Sequence, residues 1–203
     1  EIIDNFSICK GEANAFPFLT YTLMNQHQPC MLLLNDIHIS KDNIPDFSLN
    51  WNEALSHCKR LDIHTIVLGG DLFFSRSAQT LDVLLAVHDA LLAAAKLNID
   101  VILANGNHDL VNREAVRGYC HVFDQHDNVL VIDEYHTLSN PEWSFMLHVI
   151  PYFPEDGSFV EKLDEVILNE VSTGKLNYLY IHEGVNGALS RPAENELPAN
   201  IFG

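Results

Sequence analysis

Basic residues are scarce in this chain of 203 residues: 11 Lys and Arg stand against 28 Asp and Glu, a formal net charge of −17. Protonating all 11 His would still leave it net acidic. The excess falls on both halves, with no basic tail or patch, so the chain by itself lacks the electrostatic footprint of a strong nucleic-acid binder. Long apolar runs are missing too. The longest, Val83 to Ala95, is interrupted by His88 and Asp89, far short of a membrane span. Ala15 to Met24 is apolar enough for a signal core, yet it follows Glu1, Asp4 and Glu12 rather than a basic leader and has no convincing cleavage site. Cysteine is sparse: Cys9, Cys30, Cys58 and Cys120 form no Cys-x-x-Cys pair, which reads as reduced thiols in a cytosolic protein. There is no initiating Met, so the chain reads as a partial record of something longer. What is present, 47% hydrophobic and 19% charged residues, is the composition of a folded globular chain and excludes wholesale disorder. One domain is the expectation at this length.

Past residue 29 short apolar runs alternate with longer amphipathic ones. Cys30 to Asn35 (CMLLLN), Thr65 to Leu68 (TIVL), Ile99 to Ala104 (IDVILA), Val129 to Ile132, Phe145 to Ile150 and Asn177 to Ile181 (NYLYI) read as strands. Between them, Leu49 to Leu61 reads as a helix with Trp51, Ala54, Leu55, Cys58 and Leu61 on one face, and Ala78 to Leu97 as a second, long helix. Shorter helices are expected near Glu114 to Phe123 and from a Ser158/Glu161 capping box to about Val171. The alternation predicts an α/β layered domain with a largely parallel sheet. Residues 1–29 fit this pattern poorly and stand as an unassigned N-terminal extension to a domain over 30–203.

Four of these strands end in the same kind of residue. Asp36 and His38 follow the first, Asp71 the second, Asn107, His108 and Asp109 the third, and His182 the last. Side chains just past the carboxyl ends of parallel strands converge on one crevice. Asp36 and His38, two apart, would point to the same side of an extended segment. Imidazole, carboxylate and amide oxygen without thiolate suit Mn²⁺, Fe²⁺ or Zn²⁺ better than a structural Cys-type zinc site. Each piece alone has a plain alternative: Gly70-Asp71 is a turn signal, and Asn107-His108-Asp109 a polar loop. Four such clusters at strand ends outweigh those alternatives. The remaining histidines, at 27, 57, 64, 88, 121, 126, 136 and 148, read as structural or solvent-facing.

NDIHIS, GGDLF, NGNHD and the later His182 resemble, in order and spacing, the signature of calcineurin-like metallophosphoesterases, from about residue 31 to 203. GGDLFFSRSAQT, VIPYFPED and the IHEGVNGAL…ELP run resemble the SbcD-type repair nucleases, including their bacteriophage relatives. The resemblance implies an αββα sandwich and a two-metal site, with Mn²⁺ favoured over Fe²⁺, Zn²⁺ or Mg²⁺. Asp36 and His38 would bind the first ion, Asp71 would bridge both, and Asn107 and His182 would bind the second. Such a pair clamps a phosphodiester and activates water for in-line attack. His108 would protonate the departing oxygen, and Asp109 would orient His108 and fix its tautomer. The partners implied are DNA, an SbcC-type coiled-coil ATPase and a second copy of the chain, with no membrane.

Two features depart from the family pattern. The closing Gly-His-x-His motif is absent before Gly203, so the C-terminal part of the domain is expected to be missing and each ion would lack one ligand. Where some SbcD-type nucleases carry a His after the GDLF-like motif, this chain has Phe74. The leading expectation is a DNA exo/endonuclease subunit. The alternatives are a phosphoesterase acting on small phosphodiesters or phosphoproteins, and a non-catalytic domain with a binding or assembly role.

Overall fold

A computed structural model describes residues 19–25, 28–112, 117–141, 143–153, 158–171, 174–186 and 197. The chain divides into two compact units, Lys10–Asp133 and a second that includes Glu134–Gly203.

The first unit carries a five-stranded sheet in chain order: β1 (Leu19–Asn25), β2 (Gln28–Asn35), β3 (Thr65–Leu68), β4 (Asp100–Ala104) and β5 (Val129–Ile132). β1 pairs antiparallel with β2, and the other neighbours are parallel. Residues on both faces of β2, β3 and β4 are buried, which is why these strands read as continuous apolar runs. Parallel neighbours need crossovers, and helices supply two of the three: α1 (Ile44–Leu61) from β2 to β3, and α2 (Leu81–Ala95) from β3 to β4.

α1 starts before the expected Leu49, because Pro45 serves as its first-turn residue and Phe47 extends the buried stripe Trp51, Ala54, Leu55, Cys58. α2 starts later than expected, where the Thr80 hydroxyl accepts from the Val83 N–H and caps the helix. Both stripes pack with Leu32, Leu34, Ile66, Leu68, Val101 and Leu103 in one core, and the Trp51 indole N–H donates to the Ala90 carbonyl at 2.8 Å. Of the helix expected over 114–123, the described part is a short 3-10 turn, Tyr119–Phe123; residues 113–116 lie outside the described ones.

The second unit has a three-stranded sheet of β6 (His136–Leu138), β7 (Phe145–Ile150) and β8 (Leu176–Ile181). β6 is antiparallel to β7, and β8 is parallel to it. The crossover is α3 (Ser158–Asn169), whose Phe159, Leu163 and Val166 pack on Ile150. The helix begins at Ser158, the residue expected to cap it, with Glu161 in its first turn. Two strands were not anticipated from the sequence: β6, only three residues long, and β1, which lies in the stretch 1–29 read as an unassigned extension and instead pairs with β2 in the first sheet. No helix among the described residues is long and apolar enough to cross a membrane.

Candidate metal centre

Three adjacent parallel strands, β2, β3 and β4, deliver their carboxyl ends to one edge of the first sheet. The pairing does not stop there. The Gly69 N–H donates to Leu34 O (2.9 Å), His38 N–H to Asp71 O (3.0 Å), Ile39 N–H to Leu72 O (2.9 Å) and Phe74 N–H to Ile39 O (3.0 Å). The loops after β2 and β3 are thus laced together by main-chain bonds.

Within this lacing Asp36, His38 and Asp71 adopt left-handed backbone, with φ of 55°, 50° and 55°. The expectation of an extended Asp36–His38 segment is therefore corrected: the chain twists at both residues, and side-chain direction is set by that twist instead of strand alternation. Left-handed backbone costs a non-glycine residue roughly 1–2 kcal/mol, and such strain is held where surrounding bonds over-determine the loop.

The twist gathers the side chains on Asp71, which is buried. His38 Nε2 lies 3.0 Å from Asp71 Oδ2, and the His108 main-chain N–H donates to Asp71 Oδ1 at 2.8 Å. One donor atom each from His38, Asp71 and His108 falls within 4.8 Å of the others, and an Asp36 carboxylate oxygen lies within the same distance of Asp71. The imidazoles of His38 and His108 meet edge to face, centroids 4.9 Å apart.

Asn107 tests whether a cation fits. With its amide turned to satisfy hydrogen bonding, its nitrogen donates to both Asp71 oxygens at 3.1 Å and its oxygen accepts from the Arg76 guanidinium. Turned over, the same amide would bring its oxygen toward the Asp71 carboxylate, an arrangement that a bound cation would have to offset. The donor set fits a divalent ion, with imidazole, carboxylate and amide oxygen and no thiolate.

Residues 31–199 match the family model described as calcineurin-like phosphoesterase. The chain belongs to the calcineurin-like phosphoesterase family. This is a family of hydrolases that bind divalent metals. No curated protein matches the chain. Among solved structures, the crystal structure of Pseudomonas putida nuclease MPE is similar at 20% identity, with a TM-score of 0.39 over 64% of this chain and 65% of that one. This phosphoesterase thus spans a little under two thirds of that nuclease's length.

In the phosphoesterase the loop after β4 can approach Asp71 only because residue 106 is glycine. A Cβ there would stand 2.1 Å from the Asp71 main-chain N and 2.3 Å from its Oδ1. Gly106 is therefore as much part of the site as the residues around it, and the GN in NGNHD was its signal. His108 Nδ1 lies 2.7 Å from the Phe74 carbonyl oxygen. A carbonyl only accepts, so Nδ1 carries the proton and Nε2 is left open in the neutral ring.

Asp109 serves differently from the expectation. Its carboxylate accepts from the main-chain N–H groups of Gly106 (2.7 Å), Phe73 (2.9 Å) and Leu72 (3.3 Å), and the His108 ring is held by Phe74 O instead. Asp109 is completely buried and staples the loop after β4 to the loop after β3. Burial pushes its carboxyl up to about 6, the three N–H donors pull it down, and the Asp71 charge adds to the rise. Asp109→Asn is expected to destabilise the protein by about 1–3 kcal/mol, because an amide presents an NH₂ group to donors. A thermal-denaturation shift checks this; an unchanged midpoint would contradict the staple.

His182 belongs to the second unit, where it directly follows Ile181 at the carboxyl end of β8. Several of the other histidines have partners of their own. His148, fully buried, sits between Thr137 Oγ1 (3.0 Å) and Asn177 Oδ1 (3.1 Å), and burial lowers its pKa. His121 pairs with Asp133, which also accepts from the buried Asn105. His88 and His126 face each other at 3.1 Å. His27 lies outside the described residues, as does Cys9. Among the described residues, Cys30, Cys58 and Cys120 are in no disulfide. Burial raises Cys30 to about 11 and Cys58 to about 12, and raises Cys120 as well, which favours the protonated thiol in all three.

Proposed function

We propose that this phosphoesterase is the nuclease subunit of an SbcCD-like DNA repair and recombination complex, hydrolysing DNA phosphodiester bonds with two Mn²⁺ ions. The observation that carries the reading is the Asp71 carboxylate, approached by His38 at one oxygen and by the His108 N–H at the other, with Asp36 and Asn107 beside it. A carboxylate so placed is suited to being shared. Asp36 and His38 would hold one ion with it, and Asn107 and His182 the other. Bound divalent ions supply positive charge to the phosphoryl oxygens and lower the pKa of water toward neutrality.

The chain's own contribution is proton handling and alignment. The Phe74 carbonyl holds the Nδ1 proton of His108, so Nε2 is the exchangeable position: the doubly protonated ring would give its Nε2 proton to the departing oxygen and return to the neutral Nδ1–H form. A net charge of −17 opposes DNA approach. Much of the grip on DNA would therefore come from an SbcC-type coiled-coil ATPase and from homodimerisation.

The test uses the full natural chain with Mn²⁺, on DNA and on a small phosphodiester in parallel. DNA cleavage is expected, lost on chelation and reduced at least about 100-fold in His108→Asn, the scale of a general acid. A metal-loaded chain that turned over the small phosphodiester and spared DNA would establish the small-substrate reading that the acidic charge favours.

A further inference from the structure

Two consecutive phenylalanines follow Leu72 and meet opposite fates. Phe73 is completely buried and stacks on Phe123. Phe74 is 59% exposed, with its ring centroid 6.2 Å from that of His38 and 6.3 Å from that of His108. Its backbone is fixed on both sides, because its N–H donates to Ile39 O at 3.0 Å and its carbonyl oxygen holds His108 Nδ1 at 2.7 Å. The residues that follow, Ser75, Arg76 and Ser77, are polar and partly or fully exposed, so the ring does not continue into an apolar run of the chain. An exposed aromatic ring projected from an immobilised backbone beside two site imidazoles is suited to a planar group attached close to the phosphoester.

We infer that Phe74 is a stacking platform for an unpaired nucleobase next to the scissile phosphate, which makes single-stranded or frayed nucleic acid the substrate form this site takes. Every base offers a π face, so such a platform is tolerant of sequence. In a duplex those faces are occupied by neighbouring bases, and only an unstacked base can meet Phe74. Stacking also needs no positive charge, which suits a chain with 11 basic residues against 28 acidic ones. The inference rests on the nuclease reading for its substrate class, and binding and cleavage are measured separately for that reason.

The experiment titrates the full natural chain into a single-stranded oligonucleotide carrying one 2-aminopurine, with a chelator present so that no strand is cut. An oligonucleotide abasic at that position runs in parallel. Fluorescence quenching on binding is expected for the wild type. Phe74→Leu should weaken binding about tenfold, the scale of one lost base stack, and abolish the quenching, while Phe74→Tyr preserves both. The abasic strand should bind wild type and Phe74→Leu equally, which a merely structural role of Phe74 would not produce. Equal affinity of wild type and Phe74→Leu for the base-containing strand overturns the platform, as does failure of the single strand to bind. Cleavage of DNA with Mn²⁺ by a chain whose binding ignores residue 74 would keep the nuclease reading and remove the platform. Quenching by a chain that cleaves no DNA would do the reverse.

Discussion

Asp71→Asn is expected to fold normally and to lose divalent-ion binding and hydrolysis together. The reasons for normal folding are local. Asn tolerates left-handed backbone better than most residues, so φ of 55° at position 71 can persist, and the main-chain bonds from His38 N–H to residue 71 do not involve the side chain. What changes is charge and acceptor count. Asp71 presents one oxygen to His38 Nε2 and the other to the His108 N–H, and an amide can present only one oxygen while turning an NH₂ toward the second partner. Outer-shell partners of a metal site already cost about 10–100-fold in affinity when removed. A shared ligand should cost more, at least about 1000-fold in activity, or some 4 kcal/mol. Titration calorimetry with Mn²⁺ and a thermal scan decide the matter. A folded variant that retains metal affinity would show that Asp71 is not the shared ligand.

Gly106→Ala is the second large effect, and its cause is purely steric. The added methyl carbon would lie 2.1 Å from the Asp71 N, 2.3 Å from Asp71 Oδ1 and 2.9 Å from the Gly70 carbonyl carbon. None of these can give way cheaply. The main-chain atoms are locked by the lacing of the two loops, and the carboxylate oxygen already accepts from His108. The loop after β4 must move instead, and that movement breaks the Gly106 N–H bond to Asp109 and the other two bonds of the staple. Overpacking of this kind costs about 1–3 kcal/mol, and the lost bonds to a buried carboxylate add to it. The expected outcome is a lowered unfolding midpoint and a loss of Mn²⁺ binding in the same variant. Full metal affinity in Gly106→Ala would mean that the loops are looser than their hydrogen bonds indicate.

The sequence by itself determined the strand ends and the chemistry placed on them. CMLLLN, TIVL and DVILA are too continuously apolar and too short to be anything but buried strands, and each is followed by polar residues that can bind a cation. Periodicity, a local property, also located α1 and α2. Boundaries were less legible where a single contact sets them: the Thr80 cap starts α2, and Phe47 draws α1 back toward Ile44. β6 escaped notice because three residues carry no readable period.

Tertiary structure alone decided how the site is held. That Asp36, His38 and Asp71 turn left-handed, that Gly106 is the only residue type able to sit against Asp71, and that Asp109 serves three main-chain donors all depend on the close approach of loops 30 or more residues apart in the chain. The same holds for the His108 tautomer, which the sequence assigned to the carboxylate next door and the fold gives to the carbonyl of Phe74. Residue type and order state which chemistry is available. Hydrogen-bond geometry between separate segments decides which atom performs it, and no local pattern encodes that.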